Sequence, residues 1–198
     1  MAGNKPGTMR LFVAVELPDS IKLELARLQE QIKKSCRDCP ARWVSPVNVH
    51  LTLNFLGDVS TSKLDGLKLA VAETSGGTTG FDVALAELGA FPNLERPRAI
   101  WVGIRGDLSK LLSLQQTLER SISELGITPD KRPFSPHLTL ARVGEDLFAA
   151  DRKHLGAAAA AAVCGSDCRV PIRSVSLIQS HLTLGGPVYT VLDSTNLR

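Results

Sequence analysis

One tetrapeptide, His-Leu-Thr-Leu, occurs three times, at His50–Leu53, His137–Leu140 and His181–Leu184, and uses three of the four histidines in the chain. Side chains alternate across an extended strand, so each copy sets His and Thr on one face and two Leu on the other. The leucines can anchor in a core while imidazole and hydroxyl point together into a cleft. Imidazole is the side chain best suited to moving protons near neutral pH. Two converging copies would supply an acid, a base and two hydroxyl donors.

The surroundings of the copies decide which two converge. Arg42-Trp-Val-Ser-Pro46 precedes the first and Arg132-Pro-Phe-Ser-Pro136 the second, and each follows a strand and a helix. The two motifs start 87 residues apart (137 − 50), close to half of the 198-residue chain. This predicts two lobes related by a pseudo-two-fold axis, each giving one motif to a shared cleft. The third copy lacks these flanks. It runs into Gly185-Gly186-Pro187, a turn signature, and reads as a partly exposed hairpin tip. A contact at the edge of a substrate is its alternative.

Hydrophobic periodicity fills in the elements. Arg10–Leu17 is rich in β-formers, with residues 1–9 a flexible extension before a single domain over 10–198. Asp19 or Ser20 is expected to cap a helix that buries Ile21, Leu25, Leu28 and Ile32. Trp43-Val44 and His50–Leu56 read as strands, and Ser60 or Thr61 opens a helix to about Glu73, followed by a loop at 75–80. Phe81–Leu88 and Arg98–Ile104 are strands. Asp107 caps a helix whose apolar face holds Leu108, Leu111, Leu112, Leu118, Ile122 and Leu125, with Gly126 just past its end. His137–Val143 is a strand, Asp151 to about Val163 a helix, and Arg169–Gln179 and Val188–Leu192 the closing strands.

Net charge is +3, which is too mild for a general nucleic-acid binder but leaves room for a local basic patch. No run of about 18 apolar residues suggests a membrane span, the polar start at 1–8 has no apolar signal core, and the cytoplasm is the expected compartment. Cys36, Cys39, Cys164 and Cys168 could ligate zinc at these spacings. The pairs lie far apart in sequence, and two unrelated pairs of thiols are the preferred reading.

With these residues in hand the sequence resembles the 2H phosphoesterase superfamily, and within it the RNA 2′,3′-cyclic phosphodiesterases historically called 2′-5′ RNA ligases. The resemblance runs from Arg10 to Leu192. It rests on Arg10–Pro18, on Arg42–Pro46 with Val49–Gly57, on Pro97–Gly103, and on Phe134–Arg142. The closing segment resembles the family through Ser180, Leu182, Gly186 and Tyr189–Leu192, an alignment that gives His181 no catalytic role. The resemblance implies an α+β bilobal fold, with two pseudo-symmetric lobes, antiparallel sheets lining a central cleft and helices outside. It implies His50 as proton donor to the leaving 3′-oxygen and His137 as proton acceptor from water, with Thr52 and Thr139 holding the phosphoryl group. The expected substrate is RNA with a 2′,3′-cyclic phosphate end, opened to a 2′-phosphomonoester by a monomer without cofactor, metal or membrane. Reverse 2′-5′ joining is a further expectation.

Arg142 is a substrate-binding candidate, although regular alternation would set it on the leucine side of its strand unless a bulge or strand end intervenes. Arg132 and Lys131 are weaker candidates for the RNA backbone. Phe12 is a candidate for stacking on a base, with core packing the equal alternative, as for Trp43 and Trp101. His154 and His181 read as structural or solvated. Three competing readings remain: a zinc site made by the histidines of all three motifs, an RNA-end-binding module without turnover, and a phosphodiesterase for a small cyclic nucleotide.

Overall fold

A computed structural model describes residues 7–36, 41–128, 130, 132–145, 147–166, 168–183 and 186–198. Along these the chain runs β1 (Thr8–Glu16), α1 (Asp19–Ser35), β2 (Arg42–Trp43), β3 (His50–Ser60), α2 (Leu64–Gly76), β4 (Phe81–Phe91), β5 (Ala99–Gly106), α3 (Leu108–Glu124), β6 (His137–Arg142), α4 (Ala149–Ala161), β7 (Arg169–Ile172), β8 (Ser174–Thr183) and β9 (Gly186–Asn196). One sheet has the order β3-β1-β8-β9 and the other β2-β6-β5-β4-β7. Every strand pairing is antiparallel. The result is an α+β fold of two lobes whose facing leucines, valines and isoleucines merge into one continuous core.

The expected repeat is present as β1–α1–β3 and β5–α3–β6. Helix α1 buries Ile21, Leu25, Leu28 and Ile32, as its spacing predicts. Its N-cap is Pro18, with no side-chain cap; the Pro18 carbonyl accepts from the Ile21 and Lys22 amides. Helix α3 turns slightly from the expected face: Leu111, Leu114, Leu118 and Ile122 are buried, while Leu108 and Leu112 lie at the solvent edge of the stripe. Gly126 follows it at φ 70°, the left-handed conformation that glycine enters without a Cβ penalty.

Three expectations change. The opening strand starts at Thr8, so residues 8 and 9 belong to the sheet; residues 1–6 lie outside the described ones. Arg169–Gln179 is not one strand. It divides at Arg173 into β7, which pairs with β4 in one sheet, and β8, which pairs with β1 in the other. The Arg173 guanidinium pins the crossing, donating to the Phe81 carbonyl at 2.6 Å and to Asp82 Oδ1 at 2.6 Å. The cysteines are not alike. Cys36, at the end of α1, is in a disulfide, whereas Cys164 and Cys168 are in none. Burial pushes the Cys164 thiol up to about 11, so it is inert at neutral pH. Cys39 and Lys131 lie outside the described residues.

The first half of the chain also crosses to the second sheet. Arg42 and Trp43 pair with Arg142 and Ala141 on β6, and the Val44 amide donates to the Leu140 carbonyl at 2.9 Å. Gln29 of α1 supports this join from below, donating Nε2 to the Val44 carbonyl at 2.7 Å and the Leu140 carbonyl at 3.0 Å. A short 3₁₀ turn over Pro46–Asn48 then leads directly into His50. The first motif thus starts a few residues from a backbone join to the second.

Candidate active site

Leu51, Leu53, Leu138 and Leu140 are buried at 0–3% exposure and act as anchors, each worth roughly 1.5–3 kcal/mol of apolar burial. His50, Thr52, His137 and Thr139 lie on the opposite faces of β3 and β6 and are half-buried. The two motifs share a deviation from regular pairing. On β3, Val13 pairs with Asn54 and Ala14 with Thr52, so Leu53 is an extra residue. On β6, Ile100 pairs with Ala141 and Trp101 with Thr139, so Leu140 is extra in the same way. In both cases the last leucine of the motif is the bulged residue. A bulge of this kind resets the alternation that follows it. The next residue, Asn54 or Ala141, is therefore buried with the leucine, and the one after, Phe55 or Arg142, returns to the side of the threonine. This is the bulge that Arg142 required to share the face of Thr139.

The third motif has no such bulge. His181, Leu182 and Thr183 pair in unbroken register with Val188, Pro187 and Gly186. Ile178 packs with Phe12, Ala14 and Tyr189 on the cleft side of β8. His181, three residues on, points to the other face and is exposed. The three imidazoles therefore do not converge on one point, and among the described residues no cluster of three potential ligands is suited to a metal ion. Leu184 lies outside the described residues.

Each cleft histidine is held by the carbonyl two residues before it. His137 Nδ1 lies 2.6 Å from the Ser135 carbonyl oxygen. A carbonyl only accepts, so Nδ1 carries the hydrogen and Nε2 keeps a lone pair when the ring is neutral. His50 hydrogen-bonds to the Asn48 backbone. Aromatic rings complete each seat. His50 stacks on Phe12 at 4.5 Å and meets the edge of Tyr189 at 5.1 Å. His137 meets Phe91 at 5.0 Å and Trp101 at 6.3 Å. Gly89 gives the Trp101 indole its place, since a Cβ there would overlap the ring. Burial pulls the His50 imidazole down to about 4, opposed by the Asn48 hydrogen bond and the charge of Glu16, its cross-strand neighbour. Glu16 Oε1 in turn accepts from Ser176 Oγ at 2.7 Å.

The lobes meet electrostatically at Tyr189. Burial raises its phenol, and the guanidiniums of Arg142 and Arg10 pull it back down. Arg142, from the second lobe, is thus close to the tyrosine that edges His50 in the first. Neither threonine hydroxyl has a hydrogen bond among the described residues, so both are available to a ligand.

Phe12 takes the core-packing alternative, and Arg132 is held by a neighbouring carboxylate. Phe12 is 3% exposed, and its ring is covered by His50 and Tyr189, so it supports the histidine and presents no free face to a base. Arg132 is paired with Asp130 and lines a hollow beside α3 with Gln116, Arg120 and Phe134, away from the histidines. Sequence reasoning did not find Glu16, Arg10 or Phe91 as neighbours of the histidines, and it weighed Trp101 without placing it beside His137. Alternation along β1 from Phe12 was the available signal for the first two.

The comparisons with known proteins agree with this geometry. The LigT like Phosphoesterase family matches the chain twice in succession, over residues 15–101 and 102–189. The RNA 2′,3′-cyclic phosphodiesterase of Methanothermobacter thermautotrophicus is 31% identical over 185 residues, covering 93% of this chain and 97% of its own. That of Aeropyrum pernix is 37% identical over 171 residues, covering 85% and 92%. Among solved structures, TT0787 of Thermus thermophilus superposes with a TM-score of 0.77 at 28% identity, covering 96% of this chain and 98% of its own. E. coli LigT complexed with 3′-AMP gives 0.75 at 28% identity over the same shares. A family that matches each half in turn, with a flanked motif in each, accounts for the repeat: the chain belongs to the LigT-like phosphoesterases.

Proposed function

We propose that this protein opens RNA 2′,3′-cyclic phosphate ends to 2′-phosphomonoesters by metal-independent acid–base catalysis. The observation that carries the reading is the matched pair of bulged motifs, each setting one imidazole and one hydroxyl on the face opposite its buried leucines. Relatives named as RNA 2′,3′-cyclic phosphodiesterases over nearly the full chain support it.

The cyclic phosphorus needs an attacking water, a proton for the departing 3′-oxygen and donors for its non-bridging oxygens. His137 Nε2 takes the proton of the water as its oxygen bonds to phosphorus. The Nδ1–H bond to Ser135 supports this role because it leaves Nε2 basic. His50 gives its proton to the 3′-oxygen as the P–O3′ bond breaks, and solvent later restores both rings. Thr52 and Thr139 donate to the non-bridging oxygens in the manner of an oxyanion hole. Arg142 adds a charge-assisted contact to the phosphate. With a 5′-hydroxyl in place of water as nucleophile, the same ring opening joins RNA ends through a 2′-5′ bond; water at about 55 M favours hydrolysis by mass action.

The test is incubation of an oligoribonucleotide bearing a 2′,3′-cyclic phosphate in excess EDTA, followed by identification of the end formed. A 2′-phosphate end is expected. An unchanged cyclic end, or activity that vanishes with EDTA, would overturn the proposal.

A further inference from the structure

The pseudo-symmetry of the two bulges leaves one pair of positions chemically unequal. The residue that returns to the cleft is Arg142 in the second lobe and Phe55 in the first. Phe55 is not left without a cation. The Arg10 guanidinium lies 5.0 Å over its ring, from the neighbouring strand β1. The first lobe thus supplies its positive charge through a cation–π stack. Arg10 shares the cleft side of β1 with Phe12 and Ala14 by simple alternation. Among the described residues neither Arg10 nor Arg142 has an ion-pair partner. Asp58, the cross-strand neighbour of Arg10, makes no salt bridge with it.

The two cations come from different sheets, Arg142 from the end of β6 and Arg10 from β1, and both act on the Tyr189 phenol. Arg10 lies on the far side of Phe12 from Glu16, the cross-strand neighbour of His50. Its Cα is about 6.6 Å beyond that of Phe12 at the usual ~3.3 Å rise per residue. That displacement is of the order of one step along a nucleic-acid strand. A cyclic phosphate closes the 3′ end of its chain, so any further phosphate lies on the 5′ side.

We infer that Arg10, seated on Phe55, binds the phosphate immediately 5′ to the cyclic terminal nucleotide and makes the enzyme select RNA ends over free cyclic mononucleotides. The inference rests on the phosphodiesterase reading above and adds its substrate class. A guanidinium stacked on an aromatic face keeps its fork of N–H donors in plane and free for phosphate oxygens.

The experiment compares a 2′,3′-cyclic mononucleotide with the same compound carrying a 5′-phosphate, and both with a cyclic-ended dinucleotide. Wild type is expected to prefer the two substrates with the extra phosphate through KM, at similar kcat. Arg10→Gln should cut that preference about tenfold, the worth of one charge-assisted hydrogen bond, and Arg10→Lys should retain most of it. The slope of log KM against log salt for the dinucleotide should fall by about 0.7 in Arg10→Gln, as for one lost single-strand phosphate contact. A merely structural role for Arg10 would not move that slope. Equal loss on all three substrates, or a preference that survives Arg10→Gln, would overturn the inference. So would a wild type that opens all three equally, although the phosphodiesterase reading would then stand. A wild type that opens none of them removes that reading and this one with it.

Discussion

Binding of a phosphate should return a proton to His50. In the free protein its imidazole titrates near 4, so at pH 7 only about one ring in a thousand is protonated. A proton donor in that state is nearly always empty. The burial responsible, against Phe12 and Tyr189, disfavours the cation by about 3 kcal/mol. A phosphodiester anion about 4 Å from the ring, at an effective dielectric near 20, returns about 4 kcal/mol. The two nearly cancel, so the substrate itself brings His50 back to about its ordinary pKa of 6.5 or slightly above. The assay is an NMR titration of the His50 ring, alone and saturated with a nucleoside 2′-monophosphate. The bound ring should titrate about three pH units above the free one. The same displacement should separate the His50 limb of kcat, which reports the complex, from that of kcat/KM, which reports the free enzyme. A His50 that titrates within one unit of 4 in both states would refute the argument and reassign the donor.

Other outcomes follow from the same geometry. His50→Ala and His137→Ala should each lower kcat about 10²–10⁴-fold, while His181→Ala, on the opposite face of β8, should change it less than about twofold in steady-state kinetics. Stability should depend on pH through His50. Its folded pKa is depressed, so its contribution is intact above the unfolded value near 6.5 and is lost as pH falls towards about 4, by about 3 kcal/mol in total. Urea unfolding of wild type against His50→Gln at both pH values measures this, and a difference independent of pH would contradict it. Gly156→Ala should destabilise by about 1–3 kcal/mol, because a Cβ there overlaps the Leu94 carbonyl oxygen under α4; a melting temperature equal to wild type would show that the helix can shift.

The sequence made the histidines legible because their chemistry and their strand period are local. His-Leu-Thr-Leu fixes a face within four residues, and the repeated flanks identified the two copies that matter. Features set by register were less legible. The bulges at Leu53 and Leu140 are invisible in composition, yet they decide that Arg142 reaches the cleft and that Asn54 does not. Phe12 read equally well as a base platform or as core, and only the placement of His50 across from β1 resolved it. Arg132 stands four residues before the proline of its Ser-Pro pair, as Arg42 does in the first half, but a local carboxylate, Asp130, captures it. The division at Arg173 escaped notice because β7 and β8 are both apolar runs, and pairing with different sheets leaves no mark on hydrophobicity.

The exchange of strands between lobes has a mechanical consequence. Arg42 and Trp43 leave the first half to edge the second sheet, and β8 and β9 return from the second half to complete the first. Neither half of the duplicated chain closes its own sheet. To swing the lobes apart would break the β2–β6 pairing and the Gln29 bridge beneath it, so the span between the two imidazoles is governed by backbone hydrogen bonds instead of by a hinge. An enzyme built this way meets its substrate as a fixed gauge: a cyclic phosphate end must fit a preset gap, and the strands that the halves exchange hold the two motifs at one separation.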